Sequence, residues 1–460
     1  MSTTTTDDET DLSCGGDGTE PRIPKYKRRK VAIIFAFCGV GYKGMQRNPG
    51  AKTIEGELEE ALFHAGAVSE SERGKPKLYD FARSARTDKG VSAVGQVVSG
   101  RFYVDPPGFV DRLNSNLPDQ ITVFGYKRVS RSFSSKKMCD RRRYVYLIPV
   151  FALDPVSHRD REAVMASLGS GEEYVKCFEC SERGRKNKIP GVAAICKSTN
   201  FDTESSELGT EMKSEALSFD LSNRENSLSL VDDVQVARIH EDGCKKESAE
   251  KMNGEGVKMA EETKSKFCYG DEEKERFSRI LSYYVGSYNF HNFTTRMKAD
   301  DPAAKRCIIS FTAKTVINLD GIDFIKCEVI GQSFMLHQIR KMMGLAVAIM
   351  RNCAPESLIQ TAFSKDVNIT VPMAPEVGLY LDECFFTSYN TKFEDSHEEV
   401  SMEAYKEEAE AFKLKYIYSH IGSAERKYGS VALWLHSLNY RNYPDLNYGS
   451  HGHNTASSCL

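Results

Sequence analysis

The segment Ala82-Arg83-Ser84-Ala85-Arg86-Thr87-Asp88-Lys89-Gly90-Val91 sets one carboxylate, Asp88, between the cations Arg86 and Lys89. Neighbouring positive charge favours an ionised aspartate, the form that a carboxylate nucleophile requires. Gly90 gives the chain freedom to take a positive φ at the tight turn such a loop needs. The same residues also describe an ordinary ion-paired loop, and by themselves they favour that simpler reading.

A second pattern, Gly39-Val40-Gly41-Tyr42-Lys43-Gly44, matches the glycine fingerprint of a dinucleotide site and follows an apolar run. A dinucleotide site needs a helix to begin there, so that its N-terminus faces the pyrophosphate. Pro49-Gly50 follows instead and disrupts such a helix. The pattern therefore reads as a glycine-rich loop at a strand end, with Lys43 and Arg47 as candidate phosphate contacts. Cys177-x-x-Cys180 has half the spacing of a zinc site, but Cys196, Cys244 and Cys268 are too irregular to complete it. No metal is expected. The 13 cysteines, scattered over 460 residues, fit reduced thiols better than a disulfide scaffold.

These loops need a scaffold, and hydrophobic periodicity outlines one. Residues 31–37 read as a buried strand, and residues 53–65 as an amphipathic helix with Ile54, Leu58, Ala61 and Leu62 on one face. Glu55, Glu57, Glu59 and Glu60 crowd its first turns, where the helix dipole favours them. Further strands are predicted at 79–84, 95–104, 121–129 and 144–150. After an insertion come a helix at 275–285, strands at 308–317 and 322–330, a helix at 334–351, a short helix at 355–363 and a strand at 379–386. This mixture predicts an α+β fold: two similar lobes of mostly antiparallel sheet flanked by helices, with a catalytic cleft between them. The predicted organisation is an acidic disordered tail at 1–24, a first lobe at 25–159 and an acidic, largely disordered insertion at 160–275. A second lobe at 276–390 and a C-terminal extension at 391–460 follow, the extension part helical and ending in a polar tail.

Charge separates these regions. The whole chain has a formal charge of −3, yet residues 21–159 and 276–386 together hold 38 Lys/Arg against 23 Asp/Glu. A basic core within an acidic chain points to a polyanionic partner, since phosphate neutralisation supplies much of nucleic-acid affinity. No apolar run reaches membrane-span length, so no membrane association is expected. The first twenty residues lack the apolar stretch of a secretory signal and the arginines of a transit peptide. The basic run Lys25-Tyr26-Lys27-Arg28-Arg29-Lys30 reads equally as a nuclear import signal or as a solvated strand entrance.

Six segments, taken in order, resemble the TruA family of tRNA pseudouridine synthases, especially its eukaryotic multisite branch. Arg86-Thr87-Asp88-Lys89-Gly90-Val91 resembles the family's catalytic motif, and Gly41-Tyr42-Lys43-Gly44-Met45-Gln46 its first block. Arg143-Tyr144-Val145-Tyr146 is similar to the second motif and Phe334-Met335-Leu336-His337-Gln338-Ile339-Arg340 to the third. Phe290-His291-Asn292-Phe293-Thr294 and Ala374-Pro375-Glu376-Val377-Gly378-Leu379-Tyr380 match further blocks. Bacterial members commonly have histidine after the Gly-Val of the catalytic motif, where this chain has Ser92. The insertion and the C-terminal extension have no counterpart in a minimal member.

The resemblance implies the pseudouridine synthase fold and an isomerase acting on tRNA, with other structured RNA as a further candidate partner. Asp88 would be the essential carboxylate, attacking ribose or base or removing a sugar proton. Arg86 would fill the space left by the flipped base. Tyr144 would stack on the uracil and serve as a general base, and Arg340 would pair with Asp88. Reactant and product are isomers, so no cofactor is expected. His291 and His337 lie in family-like blocks, but isolated histidines are more often structural, and neither joins the catalytic set. A nuclear protein is expected, with the cytoplasm as the alternative, and the sequence leaves monomer and homodimer open.

Overall fold

The structure, a computed structural model, describes residues 26–158 and 267–448. The readings of residues 1–24, of the insertion up to 266 and of Cys177 and Cys180 lie outside them. The run that opens the described chain becomes strand β1 (Arg29–Phe37), buried from Lys30 onward on both faces, as a near-continuous apolar sequence demands. β2 (Ala82–Arg83), β3 (Ser92–Phe102), β4 (Ile121–Arg128) and β5 (Arg141–Pro149) precede the insertion. β6 (Gly286–Asn289), β7 (Lys305–Leu319), β8 (Ile322–Gly331) and β9 (Leu379–Phe385) follow it.

The nine strands of the described residues join one sheet in the order β4-β1-β3-β9-β5-β8-β7-β6, with β2 added beside β3. The pairings are antiparallel except β3 with β9, which run parallel through Ser92–Tyr380, Ala93–Leu381 and Gly95–Glu383. The fold is thus α+β, a large and mostly antiparallel sheet with helices against it. β5, assigned from sequence to the first lobe, is hydrogen-bonded between β8 and β9 of the second half. Chain order could not show this, because a strand's partners lie far away in sequence.

The helix Ile54–His64 forms where its apolar face predicted: Thr53 caps it by accepting from Gly56 N–H at 3.3 Å, and Ile54, Leu58, Ala61 and Leu62 are fully buried. Glu55 and Glu59 differ from expectation. Both are buried, Glu55 against Arg83 and the Arg47 N–H, and Glu59 against the Arg47 guanidinium. The predicted strand at 79–84 contracts to Ala82–Arg83, since Asp80 turns the chain with φ 51°. The helix predicted from 275 already starts at Asp271, with Asp271, Glu272 and Glu273 in its first turn and Glu273 accepting from Gly270 N–H at 3.1 Å. The helix predicted from 334 instead spans Gln338–Met350, buried at every position but Lys341. No helix among the described residues is long and apolar enough to cross a membrane.

Two further differences concern the chain's polar ends. In the basic run, Arg28 pairs with Glu72, Arg29 with Asp105 at 3.2 Å and Lys30 with Asp80, so half of its residues are tied into the fold. The end read as a tail folds as far as residue 448. Its helices Ser419–Tyr428 and Ser430–His436 bury Ile421, Val431, Trp434 and Leu435, and the Tyr418 hydroxyl meets that of Tyr380 in β9 at 3.1 Å. Val431, Trp434, Leu435 and Leu438 have helical spacing, a signal diluted by the polar residues around them.

Candidate active site

Asp88 lies in the loop between β2 and β3, beside the point where β3 meets β9. The loop is held from several sides. Buried Gln96 of β3 accepts from Ala85 N–H at 3.2 Å and donates to Ala85 O at 3.0 Å. Arg142 of β5 donates twice to Ser84 O, at 3.1 and 2.7 Å, and once to Gln332 O at 2.5 Å, tying the loop's root to the other half of the sheet. Within the loop, Val91 N–H returns to Asp88 O at 3.1 Å, and Gly90 takes φ 79°.

The glycines that mimic a dinucleotide motif have a different use here. A β-carbon at Gly39 would stand 2.4 Å from Val91 O, and one at Gly44 would stand 2.8 Å from Thr87 O. Both are glycine because the first loop packs backbone to backbone on the Asp88 loop. Gly39 N–H donates to Ser92 Oγ at 3.0 Å, Met45 N–H to Thr87 O and Gly90 N–H to Tyr42 O, both at 3.3 Å. Ser92 is therefore a hydrogen-bond partner of that loop.

Tyr144 sits in β5 opposite Val329 and Leu381, 6% exposed, with its ring edge-on to Phe334 at 5.2 Å. Burial holds its phenol well above the ordinary tyrosine pKa; the Cys384 thiol and the Asp88 carboxylate push the same way, against Arg142. The ring is thus within the electrostatic reach of Asp88 and stays a neutral phenol. Burial thus favours the neutral phenol, a packing surface and a hydrogen-bond donor.

Arg340 is buried, and its expected pairing with Asp88 is not formed. Its Nε donates to Ala374 O at 2.7 Å and its terminal nitrogen to Glu376 at 2.9 Å. Tyr146 holds the adjoining Pro375 O at 2.8 Å, so the two side chains fix the 374–376 loop, whose Glu376 would lie 3.5 Å from a β-carbon on Gly90. Arg340 therefore acts on the Asp88 loop through Glu376 and the chain around it. Among the described residues the basic side chain within 4.0 Å of the Asp88 carboxylate is His337, whose Nε2 lies 3.8 Å from Oδ2. Sequence gave no reason to prefer this histidine, since its approach to Asp88 depends on a loop conformation.

The phosphate candidates divide. Arg86 and Lys43 are exposed near the site, Arg86 making one long contact of 3.5 Å to Gln46 Oε1. Arg47 is committed to Glu59 at 2.6 Å and to Gly74 O at 3.3 Å, a structural clamp across the helix Ile54–His64. The arrangement offers one accessible carboxylate, a neutral phenol and an imidazole beneath a basic rim. It suits nucleophilic or proton-transfer chemistry on a flat, polyanion-borne group.

Comparison with known proteins gives this chemistry its context. Residues 280–387 match the family model described as tRNA pseudouridine synthase. The tRNA pseudouridine synthase 1 of Yarrowia lipolytica is 34% identical over 413 residues, spanning 88% of this chain and 73% of the relative. The pseudouridylate synthase 1 homolog of Mus musculus is 32% identical over 436 residues, spanning 93% of this chain and 78% of the relative. The human homolog of the same name is 32% identical over 418 residues, spanning 90% and 74%.

Proposed function

Because the chain belongs to the tRNA pseudouridine synthase family, we propose that it isomerises uridine in tRNA to pseudouridine with Asp88 as the reacting carboxylate. The reaction breaks the bond from ribose C1′ to uracil N1, turns the base and joins C1′ to C5. One proton leaves C5 and one is taken up at N1, so atoms and electrons balance without a co-reactant. The observation that carries the reading is the placement of Asp88, partly exposed and fixed between the two halves of the sheet, with Tyr144 and His337 beside it.

The target uridine must leave its stack to reach Asp88, at a cost of a few kcal/mol. Arg86 and Lys43, exposed on the rim, supply cations for the phosphates and for the space the base vacates. Tyr144 packs against the flipped uracil as a neutral phenol. Arg340 keeps the 374–376 loop pressed on the Asp88 loop.

The test is pseudouridine mapping of tRNA after carbodiimide labelling, with the wild-type chain and Asp88→Ala. Asp88→Ala is expected to bind tRNA with near wild-type affinity and to form no pseudouridine. Turnover by that variant at the wild-type rate refutes the assignment. The same mapping over total RNA, with and without the protein, reads which other structured RNAs are substrates.

A further inference from the structure

We infer that His337 is a positioning residue for this reaction: its Nε2–H donates to the Asp88 carboxylate and fixes the oxygen that reacts. The inference rests on the reading of Asp88 above and adds a partner that neither the family match nor the sequence pattern assigns.

His337 is placed by its backbone. It stands just before the helix Gln338–Met350 with φ 63° and ψ 2°, a left-handed conformation unusual for a residue with a β-carbon. Such strain persists where the surroundings over-determine it. Here Thr294 Oγ1 donates to Leu336 O at 2.8 Å, Met335 N–H to Gln338 Oε1 at 2.9 Å and Lys341 N–H to His337 O at 3.0 Å. Lys341 Nζ in turn donates to Asn292 O and Thr294 O, at 2.9 and 3.0 Å, securing the strap that holds Leu336. Five bonds thus fix the segment that presents the imidazole to Asp88.

The ring's own chemistry settles which nitrogen carries the proton. Among the described residues, His337 Nδ1 is buried without a hydrogen-bond partner. A proton there would be a stranded donor, so the tautomer protonated on Nε2, the atom facing Asp88, is the cheaper one. Burial lowers the imidazole's pKa; Asp88 and Glu376 oppose this, and Arg340 and Lys341 reinforce it, leaving it below the ordinary histidine value. Near neutral pH the ring is a neutral donor, which orients the carboxylate without cancelling its charge. At 3.8 Å the two atoms stand farther apart than in a formed hydrogen bond. Catalytic hydrogen bonds are often long in free enzymes and tighten when substrate closes the site.

The test compares wild type, Asp88→Ala, His337→Asn and His337→Gln in pseudouridine formation on tRNA across pH 5 to 9. Asparagine tolerates the left-handed backbone but is too short to reach Asp88, whereas the glutamine amide extends about as far as Nε2. His337→Asn is expected to lose roughly 10- to 100-fold in kcat, the range for a hydrogen bond to a charged group, with KM for tRNA changed by less than about twofold. His337→Gln is expected to recover most of the rate. A residue that only shapes the loop predicts the reverse order, asparagine above glutamine; that result overturns the inference. Nitrogen-15 spectra of the wild-type chain, with the His337 signal assigned from its loss in His337→Gln, give an independent readout. A proton on Nδ1 also overturns it. Wild type without activity, or Asp88→Ala with activity, removes the Asp88 reading itself and this inference with it.

Discussion

Gly39→Ala tests whether the first glycine loop is the seat of the catalytic loop. A β-carbon there would meet Val91 O at 2.4 Å, Val91 C at 2.6 Å and Gly90 C at 2.8 Å. All three are backbone atoms, so no side chain can rotate aside. Restoring ordinary carbon–oxygen contact of about 3.4 Å or more requires the two loops to part by roughly 1 Å. Asp88 lies within the turn that must move, since its carbonyl accepts from Val91 N–H. A displacement of about 1 Å in a reacting group costs on the order of 10²-fold in rate, or about 2.7 kcal/mol of barrier. Overpacking of this kind costs about 1–3 kcal/mol in stability. Gly41→Ala is the matched control: its φ is 83°, so alanine is strained there, but no atom of the described residues lies within 4 Å of the new β-carbon. It is expected to lose about 1–2 kcal/mol of stability while keeping its rate within about threefold of wild type. Single-turnover conversion of tRNA under excess protein measures the rate, and thermal melts measure stability. Wild-type conversion by Gly39→Ala, or equal loss in both variants, refutes the seat.

Two further outcomes follow from buried groups. Burial pushes the Lys341 pKa from 10.5 down to about 8. Between those values the unfolded chain holds a proton that the folded chain has released, so stability rises with pH across that window and has no slope from this group below it. Lys341→Met is expected to remove this rise, by up to about 3 kcal/mol, in denaturant titrations between pH 7.5 and 10.5; a wild-type-minus-variant difference that stays flat counts against it. Truncation after residue 397 strips cover provided by Phe412, Ile417, Ile421, Val431 and Leu435, all buried. At about 1.5–3 kcal/mol for each such side chain, the loss approaches or exceeds a typical net stability of about 5–15 kcal/mol. The shortened chain is expected to be insoluble or to melt without cooperativity, and a soluble product with a sharp thermal transition would contradict this.

Local signals carried far into this fold. The capped helix at Ile54–His64 and the unbroken core strand β1 follow from apolar spacing, which fixes secondary structure wherever burial is one-sided or complete. Segments whose polar residues turned out to be buried were the ones misjudged. Glu55 and Glu59, placed from sequence only by the helix dipole, are buried against Arg83 and Arg47, which lie 28 and 12 residues away from them. The last helices read as a tail because their apolar stripe is interrupted by serine, histidine and tyrosine.

The candidate site divides along the same line. Sequence by itself supplied the family-like motifs, the proposal of Asp88 as the carboxylate and the reading of the glycine run as a strand-end loop, since each motif rests on residues adjacent in the chain. Only the tertiary structure decided what stands around Asp88. Arg340 turned to Ala374 and Glu376, Arg47 to Glu59, and His337 came within reach because its loop takes a left-handed turn. Side-chain partnership depends on distances of a few ångströms between distant segments. That spacing is set by how β3, β5 and β9 meet in one sheet, and no local pattern encodes it.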